Sequence, residues 1–307
     1  MSKDKYKVSN WKAYNEGLKR RGSITLWIQD DIAQQWNYVG KKQRGGQYRY
    51  SNAAVELCLI LHKVYSLPLR QTQGFIKSLF EQRKIEVVVP DYTTMSRRSS
   101  KLSVSLSASR KRVSDIVMDS TGLKVYGEGE WKVRKYGAGK HRTWMKLHIA
   151  IDEQSQEIEA VTLSTNATDD ASEVEPLLKQ IEQPVRSFRG DGGYDKSKVR
   201  KQLHGKKIEQ IIPPQHNAVV NKKAKEYLQQ RDQDIQTIKK AGREEWKKQK
   251  RYHQRSKVET AMFRYKLIVG NTLSARKEDN QKTEVKIGCK ILNITLQTTK
   301  PKSFKVA

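Results

Sequence analysis

Residues 252–266, YHQRSKVETAMFRYK, carry Tyr252, Arg255, Glu259 and Lys266 at intervals of three, four and seven. At 3.6 residues per turn, Arg255, Glu259 and Lys266 fall along one face of a helix, with Tyr252 at its start. A carboxylate so placed stands between two cations. Glu259 can then hold a metal ion while Arg255, Lys266 and the Tyr252 hydroxyl bind phosphates of the same substrate. Taken alone, the spacing also describes a solvated helix face laced by i,i+4 ion pairs.

Two aspartates upstream add to the pattern. In residues 113–122, VSDIVMDSTG, a short β-branched apolar run ends in Asp119 and is followed by small turn residues, as expected of a buried strand presenting its last side chain at a site. In residues 185–195, VRSFRGDGGYD, a second such run closes on Asp191, beside glycines that allow a tight turn or close approach of a ligand. Either acid alone is equally a helix cap or turn former. Asp195, four residues on, and Asp152, after a run at 146–151, compete with Asp191 for the second position.

The chain resembles the DDE transposases of bacterial insertion sequences, in the insertion-sequence four/five superfamily. The Tyr-x2-Arg-x3-Glu-x6-Lys signature of that group is met without departure at Tyr252, Arg255, Glu259 and Lys266. Residues 119–131 (DSTGLKVYGEGEW), 146–152 (KLHIAID) and 191–195 (DGGYD) are similar too, as are 22–27, 67–75 and 90–98 in the N-terminal part. The resemblance implies an α/β, ribonuclease H-like mixed sheet flanked by helices. It also implies Asp119, Asp191 and Glu259 as a metal-binding triad. The expected chemistry is two-metal phosphoryl transfer on DNA with Mg2+, for which Mn2+ is expected to substitute. The expected partners are double-stranded DNA, as terminal inverted repeats and target, and a second copy of the chain in the DNA complex. A nuclease that cuts without joining shares the triad, and a domesticated DNA-binding protein would keep the fold without turnover.

Composition agrees with a polyphosphate partner. Lys and Arg number 61 against 33 acidic residues, a net charge of +28, which attracts nucleic acid and makes binding salt-dependent. Six Trp, thirteen Tyr and 36% hydrophobic residues indicate folded domains rather than a basic tail. Cys58 and Cys289 lie in apolar helical patterns with no paired cysteine beside either, so a structural zinc site is not expected. There is no apolar run long enough to span a membrane and no secretory signal, so a cytoplasmic, nucleoid-associated protein is expected.

The positioning elements follow from pattern. Residues 1–105 read as a helical DNA-binding domain, with helices over 53–64, 69–80 and from about 91 through Arg97 and Arg98. These three could form a helix-turn-helix with Thr93, Thr94, Arg97 and Arg98 facing DNA, or a plain packing domain. Residues 106–300 read as the catalytic domain, with strands near 115–118, 145–151, 157–164, 186–189 and 208–212, a helix at 171–181, and a charged insertion at about 216–251. The glycine-rich stretch 127–142 could close on substrate, with Lys135 and Arg142 among its phosphate contacts, or form a hairpin with solvated charges. His148 reads as a hydrogen-bonded core residue, and Trp131 and Trp144 as core residues or base-stacking platforms.

Overall fold

A computed structural model describes residues 5–41, 44–106, 114–125, 144–221 and 225–306. The chain divides into two compact units, residues 1–105 with 277–307, and residues 106–276. None of the described helices is long and apolar enough to cross a membrane.

The first unit starts with β1 (Lys5–Val8) and α1 (Trp11–Arg21), followed by α2 (Asn52–Val64), α3 (Leu69–Gln82) and α4 (Tyr92–Ser99). Ser51 caps α2 by accepting from the Ala54 amide at 3.0 Å, and its dense apolar run buries Val55, Leu57, Cys58 and Leu61. Pro68 opens α3, which buries Ile76 and Phe80, and Asp91 caps α4 by accepting from the Thr93 amide at 2.8 Å.

The second unit is built on β2 (Ser114–Val125), β3 (Trp144–Asp152), β4 (Ile158–Thr165), β5 (Val185–Arg189) and β6 (Glu209–Ile211). They lie in the order β4-β3-β2-β5-β6, the first three antiparallel and the last two parallel to β2. That is the ribonuclease H-like mixed sheet. Ile116 and Met118 of β2 pack with Phe188 against α5 (Val174–Leu178) and α6 (Ser197–Gly205) through Val174, Leu177, Val199 and Leu203. Because strand side chains alternate, Val117 and Asp119 face the other side. There lies α9 (Ser256–Ile268), reached through α7 (Gln229–Ala241) and α8 (Arg243–Gln249). The short β7 (Thr272–Leu273) then pairs with the end of β2.

The remaining α10 (Glu278–Thr298) and β8 (Ser303–Val306) return to the first unit. Helix α10 buries Val285, Ile287, Cys289 and Leu292 and pairs Lys290 with Glu56, while β8 pairs antiparallel with β1. Residues 277–300 are thus contiguous in sequence with the catalytic unit but fold with the N-terminal one.

Candidate active site

The parallel pairing of β2 and β5 sets Val117 opposite Arg189. Asp119 stands two residues further along β2, and Asp191 two residues past Arg189, just beyond the end of β5, where the two carboxylates lie within electrostatic reach of each other. Asp191 leaves the sheet through Gly190 and caps the turn 192–194, its Oδ1 accepting from the Gly193 amide at 2.8 Å. Asp119 differs from expectation. It does not end its strand, because β2 continues past Gly122 to Val125, held by pairing with β3 as far as Lys124 and Trp144. A Cβ at Gly122 would lie 3.2 Å from the Trp144 ring, which would have to give by a few tenths of an ångström to admit it. Trp144 packs over this glycine, with the Lys124 ammonium 5.9 Å from its ring centre.

Helix α9 supplies the third acid. Val258, Ala261, Met262 and Tyr265 form its buried face, while Lys257 Nζ donates to the Glu153 carbonyl at 3.0 Å and Arg264 to Gln156 Oε1 at 3.1 Å. These contacts hold the helix on the β3–β4 turn, with Glu259 in its first turn, where the helix dipole favours a carboxylate. Arg255, immediately before α9, bridges two of the acids. Its Nη1 donates to Asp119 Oδ2 at 3.0 Å, and its Nη2 to Glu259 Oε1. Tyr252 donates to the Gly190 carbonyl at 3.4 Å, next to Asp191, and its ring lies 5.6 Å from that of Trp246.

The electrostatics follow from burial. Desolvation raises the Asp119 carboxyl above the usual carboxylate range, Ser120 and Arg255 oppose that rise, and Asp191 and Glu259 add to it as like charges. Desolvation also pushes the Tyr252 phenol up to about 12, so it stays a neutral donor at ordinary pH. Burial opposes the charge on Arg255, but Tyr252, Glu259 and Asp119 outweigh it and raise its pKa. Three carboxylates within electrostatic reach of one another form a hard-oxygen donor set suited to Mg2+ or Mn2+. As placed, the guanidinium lies between Asp119 and Glu259, and among the described residues no three ligating groups stand close enough to share an ion.

Other candidates are placed differently. Lys266 is exposed on α9, seven residues past Glu259. Asp195 is spent on structure: its side chain is 1% exposed and accepts from Arg200 Nη2 at 2.9 Å and Arg231 Nε at 3.0 Å. Asp152 is buried in the β3–β4 turn, accepting from the Ser155 amide at 2.6 Å. His148 is a buried residue paired with Ser164 at 2.7 Å. In the first unit Arg97 is exposed, its Nη2 3.4 Å from Thr93 Oγ1. Arg98, expected to face DNA, points inward instead. It is 8% exposed, donates to the Tyr50 carbonyl at 2.9 Å and Asn52 Oδ1 at 2.8 Å, and lies 3.9 Å from the Tyr48 ring centre. Lys135 and Arg142, with Trp131 and the glycine-rich stretch 127–142, lie outside the described residues.

Asp170 was not legible from spacing, because it belongs to no motif and is held by tertiary contact on the sheet face that Ser120 shares, opposite that of Asp119. Its Oδ2 accepts from Ser120 Oγ at 2.8 Å, and its Oδ1 from Lys146 Nζ at 3.1 Å.

A protein-family profile described as Transposase DDE domain matches residues 111–294, and a second of the same description matches residues 19–128. The chain belongs to the DDE transposase family. The piggyBac transposase in a synaptic complex with hairpin DNA, solved by cryo-EM, is similar at 10% sequence identity and a TM-score of 0.41, over 91% of this chain and 73% of that chain.

Proposed function

We propose that this transposase cuts DNA at the ends of its insertion sequence and joins the freed ends to target DNA at the site formed by Asp119, Asp191 and Glu259. The observation that supports this most directly is that Asp119 lies within electrostatic reach of Asp191 and Glu259, with Arg255 bridging Asp119 and Glu259. The three acids would hold a pair of divalent ions, Mg2+ or Mn2+. When bound, such ions activate the attacking oxygen and stabilise the leaving one.

The chain's own residues do the rest. Arg255 exchanges its carboxylate partners for the phosphate, a bidentate acceptor that suits a guanidinium. Tyr252, neutral and held beside the Trp246 ring, turns its one O–H from the Gly190 carbonyl to a phosphate oxygen of the DNA backbone beside Asp191. Lys266 and, from the first unit, Arg97 contact the DNA backbone further along. Pairing of two element ends makes the working complex a dimer on double-stranded DNA.

The test is a cleavage and strand-transfer assay on DNA carrying the flanking element ends, with Mg2+ or EDTA. Metal-dependent cutting followed by joining supports the reading. Cutting without joining leaves a nuclease, and salt-sensitive binding without cutting leaves a DNA-binding protein.

A further inference from the structure

Helix α8 and the turn 252–255 form a concavity that no motif singles out. Arg251 adopts a left-handed conformation, φ 50° and ψ 37°, that reverses the chain between them. The reversal sets Lys247 and Lys248, from the last turn of α8, in one cleft of about 350 Å³ with Tyr252, His253 and Arg255. The cleft wall is rigid. Trp246 is buried behind Tyr252 and its indole N–H donates to Asp234 at 2.8 Å.

Its charge is unbalanced towards cations. Lys247, Lys248 and Arg255 line the cleft with Glu244, which pairs with Lys247 at 2.7 Å across the exposed surface of α8, while Arg255 is engaged by Asp119 and Glu259 behind it. An exposed i,i+3 pair of this kind is weak and readily exchanged for another anion. Two residues of the cleft, Tyr252 and Arg255, are also those that touch Gly190, Asp119 and Glu259. An anion in the cleft is therefore continuous with one at the acids, as successive phosphates of a single strand are.

We infer that this cleft is a second phosphate subsite, in which Lys247 and Lys248 take backbone phosphates of the DNA strand running away from the bond held at Asp119, Asp191 and Glu259. The inference rests on the function proposed above and adds residues to it. His253 lies on the same wall.

The experiment measures binding of a labelled duplex carrying the element end, by fluorescence anisotropy over a series of salt concentrations. The proteins are wild type, K247Q/K248Q, and K239Q/K240Q, which removes the same charge from the exposed last turn of α7. Each lysine–phosphate contact contributes about 0.9 to the slope of log K against log salt, so K247Q/K248Q lowers the slope by about two. The K239Q/K240Q protein keeps the wild-type slope. An unchanged slope in K247Q/K248Q, or an equal fall in both variants, overturns the subsite. Inorganic phosphate at matched ionic strength displaces the duplex no better than chloride; specific displacement would assign the cleft to free phosphate and overturn it too. Wild type that neither binds nor cuts the duplex sinks the functional reading, whereas wild type that cuts while K247Q/K248Q keeps its slope sinks only the subsite. Circular dichroism melts confirm that each variant is folded.

Discussion

Arg255→Gln is expected to tighten divalent-metal binding by the DNA-free protein while weakening turnover, an opposition that few substitutions at an active site produce. The guanidinium occupies two of the oxygens a metal needs, Asp119 Oδ2 at 3.0 Å and Glu259 Oε1. The Asp119 contact is mostly shielded, the two side chains being 19% and 23% exposed, and a charge-assisted bond of this kind contributes about 1.5–3 kcal/mol. Glu259 is 51% exposed, which holds its share to under about 1 kcal/mol. Part of the sum returns when the freed guanidinium is hydrated. The barrier to metal binding is then about 2 kcal/mol, or roughly thirtyfold in affinity. Titration calorimetry with Mn2+ in the absence of DNA measures it directly, with K266Q as a control for loss of a cation elsewhere on α9. R255Q binding metal roughly thirtyfold more tightly, with K266Q close to wild type, is the expected result. Equal or weaker binding by R255Q refutes competition between the guanidinium and the metal.

Asp195→Ala leaves Arg200 buried without its carboxylate and is expected to cost about 3–5 kcal/mol in urea unfolding; loss of cleavage with full stability would instead make Asp195 a catalytic acid. Arg98→Ala removes two hydrogen bonds and a cation–π contact, lowering stability by about 2–3 kcal/mol, whereas Arg97→Ala leaves stability unchanged and weakens DNA binding. The reverse assignment would restore Arg98 as the DNA contact. Burial pushes the Cys58 thiol up to about 12 and Cys289 higher still. Both are therefore inert to a thiol reagent at pH 8 until the protein unfolds. Their contribution to stability is complete below the unfolded thiol pKa of about 8.5 and is lost as pH rises towards the folded values, which denaturation between pH 8 and 11 would detect.

The sequence carried the polar ends of this site better than the elements between them. Arg255, Glu259 and Tyr252 stood out by their spacing, although Tyr252 and Arg255 lie in a turn before α9 rather than on the helix, and Asp191 because glycines mark where its strand must stop. The strand of Asp119 was read as too short. Thr121 and Gly122 resemble a turn locally, but ladder pairing of β2 with β3 as far as Lys124 overrides that preference. Arg98 looked like a surface cation because nothing in its neighbourhood announces Tyr48, Tyr50 and Asn52, which take it inward from more than forty residues away. Asp195 likewise looked like a ligand, and only Arg200 and Arg231, brought in by α6 and α7, make it structural. The charged stretch before α9 read as a partly helical insertion or a solvated linker, without bounds for α7 and α8, because their buried anchors, Ile235 and Trp246, are few among lysines. Pairing of β1 with β8 joins opposite ends of the chain and leaves no local trace.

The most direct test compares wild type with Glu259→Gln in cleavage and strand transfer on the flanking element ends, with Mg2+ or EDTA. The substitution keeps size and hydrogen bonding and removes the charge that would hold the metal. Metal-dependent cutting and joining by wild type, both abolished in E259Q while DNA binding persists, is the predicted result. E259Q cutting and joining at the wild-type rate would contradict it.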